Sequence, residues 1–469
     1  MAVLRLVSAA GCAAAIGLLL CIGFAGPALA EDFDIDVPGL EPTVAPVAEG
    51  VTLFENVRVF DGSSPDLSPP SNVLVRGNII ERISAAKIDA GAGARIIAGD
   101  GRVLMPGLID SHWHAIMAAT PQPVMMSADP SYVHYRAARE AEATLMRGFT
   151  TIRDLGGPTF GLKRAIDEGI IPGPRIYPSG AFISQTSGHG DFRFLFELPR
   201  QPGGPLSYTE RVGIAAIADS PDEVRLRVRE QLRNGASQIK LMAGGGVSSP
   251  HNPIESLQFT PAEMRAAVEA ASDWGTYVTV HAYTSAAVRR ALDAGVKCID
   301  HGQLIDDATA KLIKEKDVWW SLQPLSYDAE VFARMSPVSQ KKALEVFAGT
   351  ENAYKMAVKY DIKTVFGADI LFDPVAASRQ GSYLAMLSRW MTPAQALKSA
   401  TANAGELLAL SGFINPYPGK LGVVQEGALA DLLLVDGNPL ADLNLVSDPQ
   451  KNFVVIMKDG RIFKDGLSK

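Results

Sequence analysis

Two histidines separated by one residue, His112 and His114, close an apolar run that begins at Val103. Successive side chains of a β-strand point to opposite faces, so both imidazoles project to one side, within reach of a single metal ion. Alone, such a pair also suits a surface strand. Here Lys240, His281, His301 and Asp369 each fall at or near the end of another short apolar run, and four of the seven histidines of the chain occupy such places. Taken singly, each histidine reads as a hydrogen-bonded core or surface residue. Taken together, they read as a metal centre that could activate water for hydrolysis.

The elements that must position these residues are legible as an alternation. Apolar β runs over residues 103–114, 150–154, 175–178, 238–242, 277–281, 297–301, 318–323 and 363–369 are separated by helix-patterned stretches such as 220–234, 261–274 and 285–294. Eight βα units predict an α/β fold, a (β/α)8 TIM barrel whose chemistry sits at the C-terminal ends of its strands. Strand-like segments over 51–60, 72–80 and 95–98 are answered by 430–436, 452–460 and 461–464, which predicts a small β-sandwich domain formed by both chain ends. The expected division is a barrel over 106–410, flanked by sandwich parts at 51–105 and 411–469.

Composition bounds the rest. With 469 residues, 47% of them hydrophobic and 20% charged, the chain can bury a large core. The net charge of −7 is spread out, without a basic stripe, which argues against a nucleic-acid partner. Residues 1–30 carry Arg5, an apolar run and Pro27-Ala-Leu-Ala30, the pattern of a cleaved signal peptide, so a secreted or periplasmic protein without a membrane segment is expected. Leu20 before Cys21 is too large for a lipoprotein signal. Residues 31–50 are acidic and proline-containing and read as a flexible linker. Cys12 and Cys21 would leave with the leader, so Cys298 would stand alone and no intramolecular disulfide is expected.

The chain carries Pro106-Gly-Leu-Ile-Asp-Ser-His-Trp-His114, Thr150-Thr-Ile-Arg-Asp-Leu-Gly156, Ser184-Gln-Thr-Ser-Gly-His-Gly-Asp191, Ile239-Lys-Leu-Met-Ala-Gly-Gly-Gly246, Val280-His-Ala-Tyr283, Ile299-Asp-His-Gly302 and Gly367-Ala-Asp369. With these motifs it resembles the amidohydrolase superfamily and, within it, the imidazolonepropionase-like branch that includes Xaa-Pro dipeptidases and ochratoxin-degrading amidases. The resemblance implies two divalent metal ions, zinc by preference. One would be held by His112, His114 and Asp369 and the other by His281 and His301, with Lys240 bridging them as a lysine carboxylated by CO2. A carbamate is an anion that can span two ions, which an ammonium cannot; the place of Lys240 before three glycines argues against a plain salt-bridged lysine. A hydroxide between the ions would attack the substrate carbonyl, since zinc lowers the pKa of bound water to about 7. Asp369 would act as general base and then general acid, and His189, between two glycines that allow close approach, would stabilise the oxyanion.

Other candidates carry less. Tyr283 shares a strand face with His281 and could contact a substrate carboxylate. His251 lies in the loop after Lys240 and could line the pocket. Arg153-Asp154 reads as a structural ion pair, and Trp113, Met125 and Met126 as packing. The implied activity is hydrolysis of the amide bond of dipeptides, Xaa-Pro among them, or of N-acyl amino acids, including ochratoxin-type amides, a dipeptidase or carboxypeptidase-like reaction. The runner-up readings are a cyclic-amide or lactone hydrolase with the same metals and a non-catalytic barrel serving as a binding module. Loss of metal ligands would mark the latter, and all six positions are present. Specificity is expected to lie in loops 115–135 and 192–207, and apolar barrel helices point to a homo-oligomer.

Overall fold

The computed structural model describes residues 50–201, 203–249 and 251–467. The expected leader over 1–30 and residues 31–49 of the expected linker, with Cys12 and Cys21, lie outside these described residues. Among the described residues no helix is long and apolar enough to cross a membrane, and Cys298 is a free, buried cysteine.

Short, fully buried strands carry the site. Ile239–Met242, Trp319–Leu322 and Arg175–Pro178 have every residue buried, as expected of parallel strands covered on both faces. Seven strands pair in parallel in the order Ala215–Ile217, Phe182–Ser184, Ile239–Met242, Val278–Thr284, Cys298–Leu304, Trp319–Leu322, Thr364–Phe366. Leu108–Trp113, Phe149–Asp154 and Arg175–Pro178 form a second parallel sheet. The pairing ladder is therefore interrupted, not continuous around eight strands. At one junction Ser237 N donates to Pro178 O, with the Gln238 amide bridging to Tyr177 O; at the other Asp369 N donates to His112 O at 2.9 Å. Gly180, at φ +69°, turns the chain between Arg175–Pro178 and Phe182–Ser184, so the expected third strand stays in one sheet and the chain continues into the other as a separate strand. Phe182–Ser184 and Ala215–Ile217, three residues each, were too short to read from periodicity.

The helices between the strands start where the sequence places polar caps. Ser220 accepts from Glu223 N ahead of the helix Pro221–Arg233, Thr260 and Glu263 form a capping box ahead of Pro261–Ser272, and Thr284 caps Ser285–Ala294. The last of these helices ends at Gly295 in the left-handed conformation.

Strands from residues 51–106 and 432–465 meet in one eight-stranded mixed sheet. Its order is Arg461–Asp465, Phe453–Lys458, Leu432–Val435, Val103–Pro106, Val51–Val59, Ser71–Arg76, Ile79–Ser84, with Arg95–Ala98 also on Val51–Val59. Phe54, Val57, Val73, Leu104, Leu432 and Val455 share one buried apolar cluster there. Two expected strands divide. The run 72–80 breaks at the turn Gly77-Asn78, and the run 103–114 breaks at Gly107. Val103–Pro106 pairs with Leu432–Val435, whereas Leu108–Trp113 enters the parallel sheet. A side chain on Gly107 would overlap Thr150, so only glycine lets the chain cross at this point.

Candidate metal centre and active site

His112 lies near the end of Leu108–Trp113, His114 is the first residue after it, and Asp369 follows Thr364–Phe366 across the junction. Asp110 braces that junction, accepting from His112 N and Ala368 N on one oxygen and from the Gln380 amide on the other. Gly367 packs against His112 so closely that a Cβ would clash with it. The result brings three imidazoles around one carboxylate. Asp369 Oδ1 lies 3.2 Å from His112 Nε2 and 3.2 Å from His114 Nε2, and Asp369 Oδ2 lies 3.8 Å from His301 Nδ1. One ligand atom each from His112, His114 and Asp369 falls within 4.8 Å of the others. Asp369 and His301 hold positive φ of 49° and 80°, a strained backbone that the surrounding structure must impose.

The second group of candidates adjoins this cluster. The His281 ring stands 4.3 Å from that of His301 and 4.3 Å from that of His189, and Tyr283 lies 4.9 Å from both His281 and His301. His281 Nε2 is 3.0 Å from Gly245 O. A carbonyl only accepts, so Nε2 carries the proton and Nδ1 keeps its lone pair. Burial holds the pKa of His281 and His301 well below that of a free imidazole, and holds that of His189 down at about 3. His114 is also lowered by burial. Burial opposes charge on His112 too, but the carboxylates of Asp369 and Asp300 raise it. For Asp369 burial favours the neutral acid, yet His112 and hydrogen bonds from His112 and His114 keep its pKa well below the carboxylate range.

These groups fit a divalent metal. Neutral imidazoles and a carboxylate are the donor set that zinc takes. Nδ1 of His114 and Nδ1 of His301 are buried with no hydrogen-bond partner among the described residues, a costly state that a metal or a bound water would relieve.

Residues 103–463 match the Amidohydrolase family. The chain belongs to that family. This amidohydrolase is 32% identical over 385 residues to ochratoxinase of Aspergillus niger, covering 77% of this chain and 76% of the relative. A crystal structure of a prolidase complexed with N-methylphosphonate-L-proline superposes with a TM-score of 0.82 at 34% identity, covering 88% of this chain and all of that one. A Xaa-Pro dipeptidase with methionine bound in its active site gives a TM-score of 0.77 at 27% identity, with 88% of this chain and 100% of that chain covered.

Lys240 of the amidohydrolase, as an unmodified side chain, is buried against a carboxylate. Lys240 Nζ donates to Asp300 Oδ2 at 2.7 Å, because an unmodified ammonium shut off from water needs a buried carboxylate. Burial lowers the pKa of the amine, with Asp300 opposing. Asp300 is the residue that sequence reasoning missed. It also accepts from Arg153 Nη2 at 2.8 Å and Thr279 Oγ1 at 2.7 Å, and lies 3.4 Å from His112 Nδ1. The signal was an acid inside the apolar run Cys298-Ile-Asp-His301. The supposed Arg153-Asp154 pair does not form, since neighbours on a strand point to opposite faces. Arg153 turns to Asp300, and Asp154 accepts instead from Ala115 N and Thr159 Oγ1.

His189 is buried beside the cluster, its backbone N–H donating to Gln258 Oε1. The flanking glycines are required by packing. A Cβ on Gly188 would meet Ser184 and Gln258, and one on Gly190 would meet the Phe182 ring. The glycines after Lys240 likewise let the loop fold back, Gly245 against Pro253 and Gly246 against the His189 ring. His251 is exposed and is not drawn into the site. The Tyr283 hydroxyl makes no hydrogen bond among the described residues, and Trp113 and Met125 pack in the main core.

Proposed function

We propose that this chain is a metal-dependent amidohydrolase with a binuclear centre on a (β/α)8 barrel, hydrolysing the amide bond of dipeptides or N-acyl amino acids. The convergence of His112, His114 and His301 on the Asp369 carboxylate carries this reading. Xaa-Pro dipeptides and ochratoxin-type aryl amides are the leading substrates, supported by the prolidase and ochratoxinase likenesses. Export, as the leader-like first residues imply, suits scavenging or detoxification outside the cytoplasm.

His112, His114 and Asp369 would hold one ion and His281 and His301 the other, with a carboxylated Lys240 between them. Two such ions supply Lewis-acid polarisation of the carbonyl and a water acidified toward neutral pH. Carboxylation would turn the Lys240 ammonium into an anion, leaving Arg153 and Thr279 to hold Asp300. Asp369, kept ionised at neutral pH by His112 and His114, takes the proton of the attacking water and passes it to the leaving nitrogen. His189, kept neutral by burial, donates a hydrogen bond to the carbonyl oxygen as it becomes an oxyanion. Tyr283, whose ring lies beside His281 and His301, would contact the substrate carboxylate.

The test is elemental analysis of the purified protein together with release of free amino acid from Xaa-Pro dipeptides and N-acyl-phenylalanines. About two metals per chain and chelator-sensitive release are expected. Metal without release from any of these substrates would overturn the substrate assignment in favour of cyclic amides or lactones, and absence of metal would overturn the mechanism.

A further inference from the structure

The helix Pro337–Lys359 carries none of the site residues, yet one of its side chains reaches the loop beneath His189. Lys342 Nζ donates to Gly246 O at 3.1 Å, to Ser249 O at 2.6 Å and to Asn252 O. An ammonium has three N–H donors, and here each meets a backbone carbonyl. The same loop is tied internally, with Gly246 N donating to Asn252 Oδ1 and Asn252 Nδ2 to Ser249 Oγ. What it supports is the chemistry. Gly245 O accepts from His281 Nε2 at 3.0 Å, and Gly246 lies against the His189 imidazole with no room for a side chain.

We propose that Lys342 is a positioning residue, clamping Gly246, Ser249 and Asn252 so that Gly245 O holds His281 as its Nε2–H tautomer and Gly246 seats His189. Among the described residues the lysine hydrogen-bonds to backbone carbonyls and to neither histidine, while its charge also helps to keep His189 neutral. Groups that orient a metal-ligating histidine from outside change metal affinity or activity by about 10–100-fold when lost, and Lys342 stands one step behind such a group. Arginine cannot replace it, because a planar guanidinium fork does not direct donors at three carbonyls converging on one point. The effect of Lys342 on turnover rests on the function proposed above; its effect on the loop and on metal affinity does not.

The experiment compares the full-length wild-type protein with Lys342→Met, Lys342→Arg and Lys341→Met, the last removing an exposed neighbouring charge from the same helix. Three readouts are taken: amide hydrogen exchange over 245–252 in the metal-free protein, affinity for Co2+ alone from its visible absorption, and kcat and KM. Lys342→Met and Lys342→Arg should exchange faster in this loop, bind Co2+ about tenfold or more weakly and lose kcat by about 10–100-fold with KM little changed. Lys341→Met should match the wild type. Should Lys342→Met fail to fold, Lys342→Gln, which keeps two donors, carries the same comparison. Wild-type exchange and Co2+ affinity in the Lys342 variants would overturn the proposal, as would a lowered melting temperature with Co2+ affinity and kcat intact. If the wild type turns over no substrate, the proposed function fails while exchange and Co2+ binding still decide the role of Lys342.

Discussion

The Lys240 ammonium stands 2.7 Å from Asp300 Oδ2, with both side chains shut off from water and Arg153 on the other carboxylate oxygen at 2.8 Å. One buried anion thus answers two buried cations. The unmodified site depends on Asp300 as much as on any residue that would touch a metal.

Asp300→Ala should therefore destabilise the protein by about 3–5 kcal/mol, the cost of leaving buried charge unpaired. Urea unfolding followed by circular dichroism measures it. A loss below about 1 kcal/mol, the range of exposed pairs, would mean that the pair is solvated in solution.

Asp369→Asn should keep the fold and lower kcat by about 10²–10⁴-fold, since the amide neither takes nor returns a proton. Near-normal turnover by this variant would remove Asp369 from the proton path.

His189→Ala should lower kcat by about 10²–10³-fold, the scale of a lost oxyanion donor. Gly246→Ala should act in the same direction, because its methyl would displace the His189 ring. Unchanged kinetics in both would demote His189 to a packing residue.

Chelation should abolish turnover and lower the melting temperature, with Zn2+ or Co2+ restoring both. The stabilisation should grow with metal concentration, as for any ligand that binds the folded state, and reach about 2.7 kcal/mol at a hundredfold excess over Kd. A melting curve indifferent to chelator and metal would contradict the centre.

Lys458, far from the site, gives a pH prediction. It is buried and donates to Gly173 O, and burial depresses its pKa to about 8. The folded protein then releases this proton before the unfolded chain does, so between about pH 8 and about 10.4 the unfolded state binds more protons and stability rises with pH. Below that window the cost of the buried charge is fully present. Lys458→Met should remove this rise, on the order of 3 kcal/mol, from the difference between the two pH profiles. Parallel profiles would show that Lys458 titrates normally.

Much of the site was legible because strand alternation is local. Whether His112 and His114 share a face follows from their spacing alone, and the ends of apolar runs located Lys240, His281, His301 and Asp369. Helix starts at Ser220, Thr260 and Thr284 were legible for the same reason, since a cap bonds its own first turn.

Local pattern thus identifies the chemically able residues, their place on strands and the family to which the chain belongs. Their partners are set by the packing of elements distant in the chain. Lys240 and Asp300 are 60 residues apart, Arg153 and Asp300 are 147 apart, and Lys342 reaches back 96 residues to Gly246. Such pairings depend on which strands become neighbours and how loops fold over their ends. The break at Gly107 has the same origin. The apolar pattern runs on through residues 103–114, and it is the neighbouring Leu432–Val435 and Phe149–Asp154 that divide it between two sheets.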